Sequence, residues 1–306
     1  MTKKTKKTKE FKNLLELQKA FPNEQSCRDF FEQARWNGEI GCPNCGGIRI
    51  SKYTNGRIYF CSDCRKQFTV KVGTIFEDSP IKLQKWFFAI YLMTAHKKGI
   101  SSLQLSKDIG VTQKTAWFMT QRIRYAMKTK SIFKPLLNTV EADETYSGGK
   151  KIRNSKRGRG AEHKTPVFGI IERQGKLFST PVQDCKKKTL QAIINDKVDK
   201  NASIMTDEWL AYKGLNKSYN IHNIVNHSKK QYVNGNVHVN TIEGFWSLLK
   251  RGIIGIYHSV SSKHLHRYCN EFTYRYNTKE LNDTNRFSLT LNNLEGRLTY
   301  KNLISI

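Results

Sequence analysis

The cysteines constrain this chain more tightly than any other feature. Of the seven, four fall in two short pairs, Cys42-Pro-Asn-Cys45 and Cys61-Ser-Asp-Cys64, with fifteen residues between the pairs. Thiols two residues apart share one tight turn, and two such turns together supply four soft donors to a tetrahedral ion. The spacing predicts a four-thiolate zinc ribbon built from Cys42, Cys45, Cys61 and Cys64. In it the metal replaces a core that so short a segment cannot assemble. Between the pairs, residues 48–59 read as two short strands around Thr54-Asn55-Gly56, a hairpin turn signal. Cys27, Cys185 and Cys269 stand alone, and this usage fits a reducing cytoplasm better than a disulfide framework.

Charge supplies the second constraint. Lys and Arg total 53 against 25 Asp and Glu, a formal net charge of +28. An excess of that size points to a polyanionic partner, because each phosphate neutralised releases condensed counterions. The 306 residues can form two or three domains, and the 38% apolar content is enough to give each a core. Met1-Thr2-Lys3-Lys4 opens a basic run with no apolar segment behind it, so no secretory leader is expected. The longest apolar stretch, residues 86–93, is about half of the roughly 20 residues that a membrane span needs. No membrane partner is expected.

Along the chain, Leu14, Leu15, Leu17 and Phe21 read as a short amphipathic helix stopped at Pro22. Ser26 caps a second helix that runs to Trp36 and ends at Asn37-Gly38. After the cysteine module, residues 81–95 are helical and largely apolar. A helix then starts at Ser101 and runs through Ile109, Gly110 makes a turn, and a further helix runs from Gln113 to about Met127. Thr112, Gln113 and Lys114 occupy its first turn, where a recognition helix meets base edges of double-stranded DNA. An ordinary helical hairpin linking two domains is the other reading of the same pattern.

From Thr139 the periodicity changes to alternation. Residues 139–146, 167–171 and 176–180 read as three antiparallel strands, the last two joined by Arg173-Gln174-Gly175. A helix over 189–198, a strand at 203–206 ending at Asp207, another helix, a strand at 221–225 and a long helix from about Asn240 follow. That order describes a ribonuclease-H-like fold. Magnesium takes oxygen ligands, and a pair of such ions clamps the attacking and leaving oxygens of a displacement at phosphorus. Asp143 on the first strand and Asp207 at the tip of the fourth can meet if those strands pair, and Glu243 on the long helix completes the set. Glu141, two residues before Asp143 on the same strand face, competes for the first place. Lys151, Arg153 and Arg157 belong to a basic loop after Gly148-Gly149 and are expected to hold the DNA backbone.

The block of Asp143, Asp207, thirty-five intervening residues, Glu243 and then Lys250 resembles the DDE superfamily of transposases and retroviral integrases. With the cysteine pairs, the segment from Tyr59 to Phe68, Gly73-Thr74-Ile75-Phe76 and the run from His238 to Trp246, the chain is similar to insertion-sequence transposases that carry an N-terminal zinc ribbon. The likeness extends from about Phe11 to Asn277. It implies a magnesium- or manganese-dependent transposase that binds inverted terminal repeats, hydrolyses a phosphodiester at each end and directs the freed 3′-hydroxyl at target DNA. Asp143, Asp207 and Glu243 would be catalytic metal ligands, with Asn240 and Lys250 supporting them. It further implies a bacterial cytoplasmic protein associated with the nucleoid, a homodimer or larger when two ends are synapsed. A ribonuclease-H-like DNA-binding protein that is inactive, or a nuclease only, is the alternative.

The expected fold class is thus a multidomain α+β and α/β chain. Residues 1–38 form a helical segment with a basic tail, 39–78 the ribbon, and 79–130 a helix-turn-helix-like DNA-binding region. Residues 131–285 form a ribonuclease-H-like mixed sheet flanked by helices, and 286–306 a tail.

Overall fold

Short polar side chains mark where the first helices begin. In the computed structural model, which describes residues 10–128, 134–147, 164–226 and 235–305, Asn13 caps α1 (Leu14–Ala20) by accepting from the Glu16 amide. Asn23 caps α2 (Glu24–Trp36), and Ser26, expected as this cap, is its partner in a capping box. Ser26 gives its own amide to the Asn23 side chain and accepts from the Asn23 amide, one helical turn inside the start. Asn37, at a left-handed φ of 47°, ends α2.

The cysteine module follows as β1 (Ile50–Lys52), β2 (Tyr59–Cys61) and β3 (Gln67–Phe68), antiparallel in the order β1-β2-β3. Asn55 sets the hairpin by accepting from the amides of Arg57 and Ile58, and Gly56 takes a φ of 66°. β3, absent from the sequence reading, is too short to show alternation. Packing makes it: Phe68 stacks on Tyr59 with ring centroids 5.5 Å apart, and Trp36 meets Tyr59 edge-on at 5.2 Å. With the buried Cys42 and Cys61 these rings form the centre of the module's core, and Ile40, Ile50, Cys64 and Val72 pack around it.

Next come α3 (Leu83–Ala95), α4 (Ser102–Ile109) and α5 (Gln113–Ala126), each packed on the other two. Ser101 caps α4, Gly110 at φ 60° makes the expected turn, and Thr112 caps α5 by accepting from the Thr115 amide.

Residues 128–280 form a separate unit around a five-stranded sheet. β4 (Thr139–Ser147), β5 (Thr165–Glu172) and β6 (Leu177–Pro181) are antiparallel. After α6 (Lys187–Lys197), β7 (Ser203–Asp207) pairs parallel to β4, and β8 (Ile221–Val225) parallel to β7. The order β6-β5-β4-β7-β8 is the expected ribonuclease-H-like sheet. Between β7 and β8 stand two short 3-10 turns, Leu210–Tyr212 and Leu215–Lys217, in place of the expected helix, because Gly214 at φ 96° interrupts the run. α7 (Asn240–Gly252) continues into a π-helical turn, Ile253–Tyr257, and α8 (Ser262–Asn277) completes the unit.

Alternation on the strands splits this core in two. Val140, Ala142, Phe168 and Ile170 pack with α6 and the first 3-10 turn; Val167 and Ile171 pack with α7 and α8. Gly169, paired with Asp143, lets α7 lie flat on the sheet. A Cβ there would stand 2.6 Å from the Trp246 ring and 3.1 Å from Ile242.

The chain then closes with α9 (Asp283–Asn292) and α10 (Tyr300–Ile304), so residues 286–306, read from sequence as a tail, contain helices. Residues 281–306 belong with residues 1–127 in the first unit. Phe287 of α9 sits among Phe11, Phe21 and Phe87, and Thr284 exchanges hydrogen bonds with the Phe11 backbone. Buried Arg122 gives its guanidinium to the carbonyls of Ile75, Glu77 and Leu298, tying two loops to α5. Among the described residues no helix is long and apolar enough to cross a membrane.

The contact at Gly169 yields a stability prediction. Gly169→Ala should lower the unfolding free energy in urea by about 1–3 kcal/mol through overpacking against Trp246. Gly244→Ala, on the open side of the same helix with nothing within 4 Å, should leave it unchanged or raise it.

Candidate functional site

The four paired cysteines converge. Their sulfurs all lie within 4.8 Å of one another, with Cys42 to Cys64 and Cys45 to Cys61 each at 3.7 Å. A tetrahedral zinc with Zn–S bonds of about 2.3 Å requires sulfur separations of about 3.8 Å, so the donor set fits the ion. The amides of Asn44 and Gly47 point at Cys42 and Cys45 sulfurs from 3.4 Å, which stabilises thiolates and orients them.

In the second unit the acids gather on the α7 face of the sheet. β4 and β7 pair in register from Thr139 opposite Ser203 to Glu141 opposite Met205, and Asp143 and Asp207 lie two residues beyond that last pair on the same face. Both are half-buried. The Asp143 carboxyl is pushed up to about 7 by burial and then by the negative charges of Glu144 and Asp207. A backbone amide and the Trp246 indole, which donates to Asp143 at 2.9 Å, pull the other way. Two neighbouring carboxylates in a partly closed setting, the charge of one raising the cost of charge on the other, suit a hard divalent cation.

Glu141 has a different role. It is fully buried and accepts from Arg173 at 2.6 Å, from the Thr241 hydroxyl and amide at 2.8 Å, and from the Ile242 amide at 3.0 Å. Its oxygens are spent on fixing the first turn of α7, where the aligned peptide dipoles favour negative charge. Arg173 also donates to the carbonyls of Asn236 and His238, holding the approach to that helix.

Glu243 is exposed on α7, as are Asn240 and Lys250. At about 100° per residue, Glu243 lies about 60° and Lys250 about 40° around the helix from Trp246, both to the same side. They therefore flank the side chain that reaches Asp143. Among the described residues the cysteine set alone gathers three or more potential ligands within 4.8 Å; Asp143, Asp207 and Glu243 are not drawn that close.

Thr112, Gln113 and Lys114 are exposed at the start of α5. The Thr112 hydroxyl also caps the helix, Gln113 donates to Ser102 at 2.9 Å, and the Lys114 ammonium stands 5.3 Å from the Tyr300 ring centroid. Lys151, Arg153 and Arg157 lie outside the described residues.

Residues 135–277 match the family described as the ISXO2-like transposase domain, and residues 22–67 match the transposase zinc-ribbon domain. The chain is 32% identical over 276 residues to a protein in transposable element ISH50 of Halobacterium salinarum, covering 84% of this chain and 92% of the relative. The chain belongs to the ISXO2-like transposase family. A transposase-like protein of Haemophilus influenzae is 29% identical over 106 residues, 35% of this chain and 85% of its own length. All three acids, Asn240 and Lys250 fall inside the first match, and the four cysteines inside the second.

Three features of this transposase were not read from sequence. The Glu141 clamp was legible only as competition with Asp143; the signal that could have separated them is Arg173, one residue past the strand that pairs with β4. Trp246 entered the sequence reading only as the end of a motif, not as a partner of Asp143. The third is Tyr212, whose hydroxyl donates to Glu144 at 2.5 Å and whose phenol burial and the nearby carboxylates push well up, keeping it a donor.

The zinc-ribbon match and the four-cysteine cluster support structural zinc, and elemental analysis should find about one zinc per chain. Cys64→Ser should lose it, and the module should lose its protection from proteolysis with the metal.

Proposed function

We propose that this insertion-sequence transposase cuts and joins double-stranded DNA through Asp143, Asp207 and Glu243, which would hold magnesium or manganese. The observation that supports this most is the pairing of β4 with β7, which carries Asp143 and Asp207 to matched positions where Asp207 raises the cost of charge on Asp143. When bound, a divalent cation supplies Lewis-acid stabilisation of charge developing on the phosphodiester oxygens. The chain's own part is to orient. Glu141 and Arg173 hold α7 by its first turn, and Trp246 fixes the rotamer of Asp143 from above Gly169.

In this reading a water oxygen attacks phosphorus at the element's end and the 3′-oxygen leaves, taking a proton to become a hydroxyl. That hydroxyl then attacks a target phosphodiester, forming one P–O bond as another breaks. Lys250 meets a phosphate oxygen, and Asn240 supports the first turn of α7. Thr112, Gln113 and Lys114 read the terminal repeat from α5, and Lys151, Arg153 and Arg157 neutralise backbone phosphates. A homodimer or larger assembly would bring two ends together.

Asp207→Asn tests the proposal. Cleavage of a supercoiled donor carrying the element's ends, with magnesium present, should fall by about a hundredfold or more. End binding in a mobility-shift assay should stay within about twofold, since the phosphate contacts are elsewhere. Normal cutting by this variant would reject the assignment. A wild type that cuts but never joins a pre-cut end to a second duplex would make the protein a nuclease instead.

A further inference from the structure

Immediately after Asp207 the chain turns two large apolar side chains outward. Trp209 is 39% exposed and Leu210 75% exposed, while the next two residues, Ala211 and Tyr212, are buried in the core beside α6. This exposure is not that of a loose loop. The Trp209 amide donates to Asp207 at 2.9 Å, and its indole N–H donates to the Cys185 carbonyl at 3.2 Å. Gln191 of α6 holds the Ala211 carbonyl at 2.8 Å, and Tyr212 is locked to Glu144. The turn is braced from several sides, and the residue whose backbone amide holds a proposed metal ligand presents its aromatic ring outward.

The surroundings carry positive charge. The carbonyl that holds the indole belongs to the residue just before Lys186, Lys187 and Lys188, all exposed at the start of α6. The Lys187 ammonium approaches Gly214, which closes the same turn region, and Lys186 stands 3.8 Å from Asp184. An exposed ring beside a basic ridge is the combination that holds an unpaired nucleotide, base against the ring and phosphates against the ammonium groups. A duplex keeps its bases stacked inward and offers such a ring nothing but sugar and phosphate edges.

Resting on the reading of Asp207 given above, we propose that Trp209 and Leu210, with Lys186, Lys187 and Lys188, form a platform for an unpaired nucleobase of the DNA strand next to the scissile phosphate. The base swings out of the duplex and stacks on the Trp209 ring, Leu210 covers its edge, and the lysines hold the flanking phosphates. Locking out one base unwinds the end locally and fixes the adjacent phosphodiester against Asp207.

A duplex of the element's own end with 2-aminopurine at the nucleotide beside the cleavage position tests this, since that base brightens when unstacked and is quenched on an aromatic ring. Trp209→Ala keeps the backbone amide that reaches Asp207, so the acid's position is preserved. With wild type the probe should be quenched on binding; with Trp209→Ala it should brighten, and cleavage of the fully paired end should slow about tenfold. A mismatch at that base pair should recover much of the lost rate, and Trp209→Phe should retain most of both signals. Wild-type cleavage and an unchanged probe signal in a folded Trp209→Ala protein would overturn the inference, as would a deficit that the mismatch does not relieve. An Asp207→Asn protein that does not cut yet still quenches the probe supports the platform, and a wild type that quenches without cutting counts against the metal chemistry alone.

Discussion

Two carboxylates share one face of β4, and the chain treats them in opposite ways. Glu141 is taken fully out of water, which costs several kcal/mol for an isolated ion, and the cost is offset by Arg173, two amides and a hydroxyl. Asp143 is left with the Trp246 indole and one backbone amide while facing Glu144 and Asp207. The first carboxylate is a structural anchor with its needs met inside the protein. The second keeps an unmet demand for positive charge, which the proposed divalent cation would answer.

Everything about α7 follows from the same strand. Glu141 grips its first turn, and Gly169 on the neighbouring strand removes the Cβ that would keep Trp246 off the sheet. The helix is thereby pinned at two points one turn apart, and its rotation about its axis is fixed. Helical geometry then puts Glu243 and Lys250 to one side of Trp246. The turn after β7 works in a related way. Tyr212 and Ala211 are drawn into the core, and that anchoring is what holds Trp209 and Leu210 rigidly in the open.

How much of this could be read beforehand depended on whether the cause was local. The cysteine spacing, Gly110 and Thr112 between α4 and α5, and the alternation through Asp143 are local signals, and the ribbon, the helical turn and the strands follow from them. β3 was not legible because two residues carry no period and Tyr59 supplies its reason to exist. Ser26 was a good cap candidate by residue type, but Asn23 lies just outside the helix and takes the first place. Helix α9 answers to Phe11, Phe21 and Phe87, far earlier in the chain, and Glu141 answers to partners 32 and 100 residues away. Sequence pattern reports the faces of elements; it does not report which distant partner satisfies a buried charge.

The division of labour on β4 can be measured without any DNA. Titrating manganese into the zinc-loaded protein, and following loss of the free-ion paramagnetic resonance signal, compares the two carboxylates directly. Asp143→Asn should weaken manganese binding by about tenfold or more, since losing even an outer partner of a metal ligand costs that much, while Glu141→Gln should chiefly lower the melting temperature. Undiminished manganese affinity in a folded Asp143→Asn protein would contradict the assignment of the unmet charge to this face of the sheet.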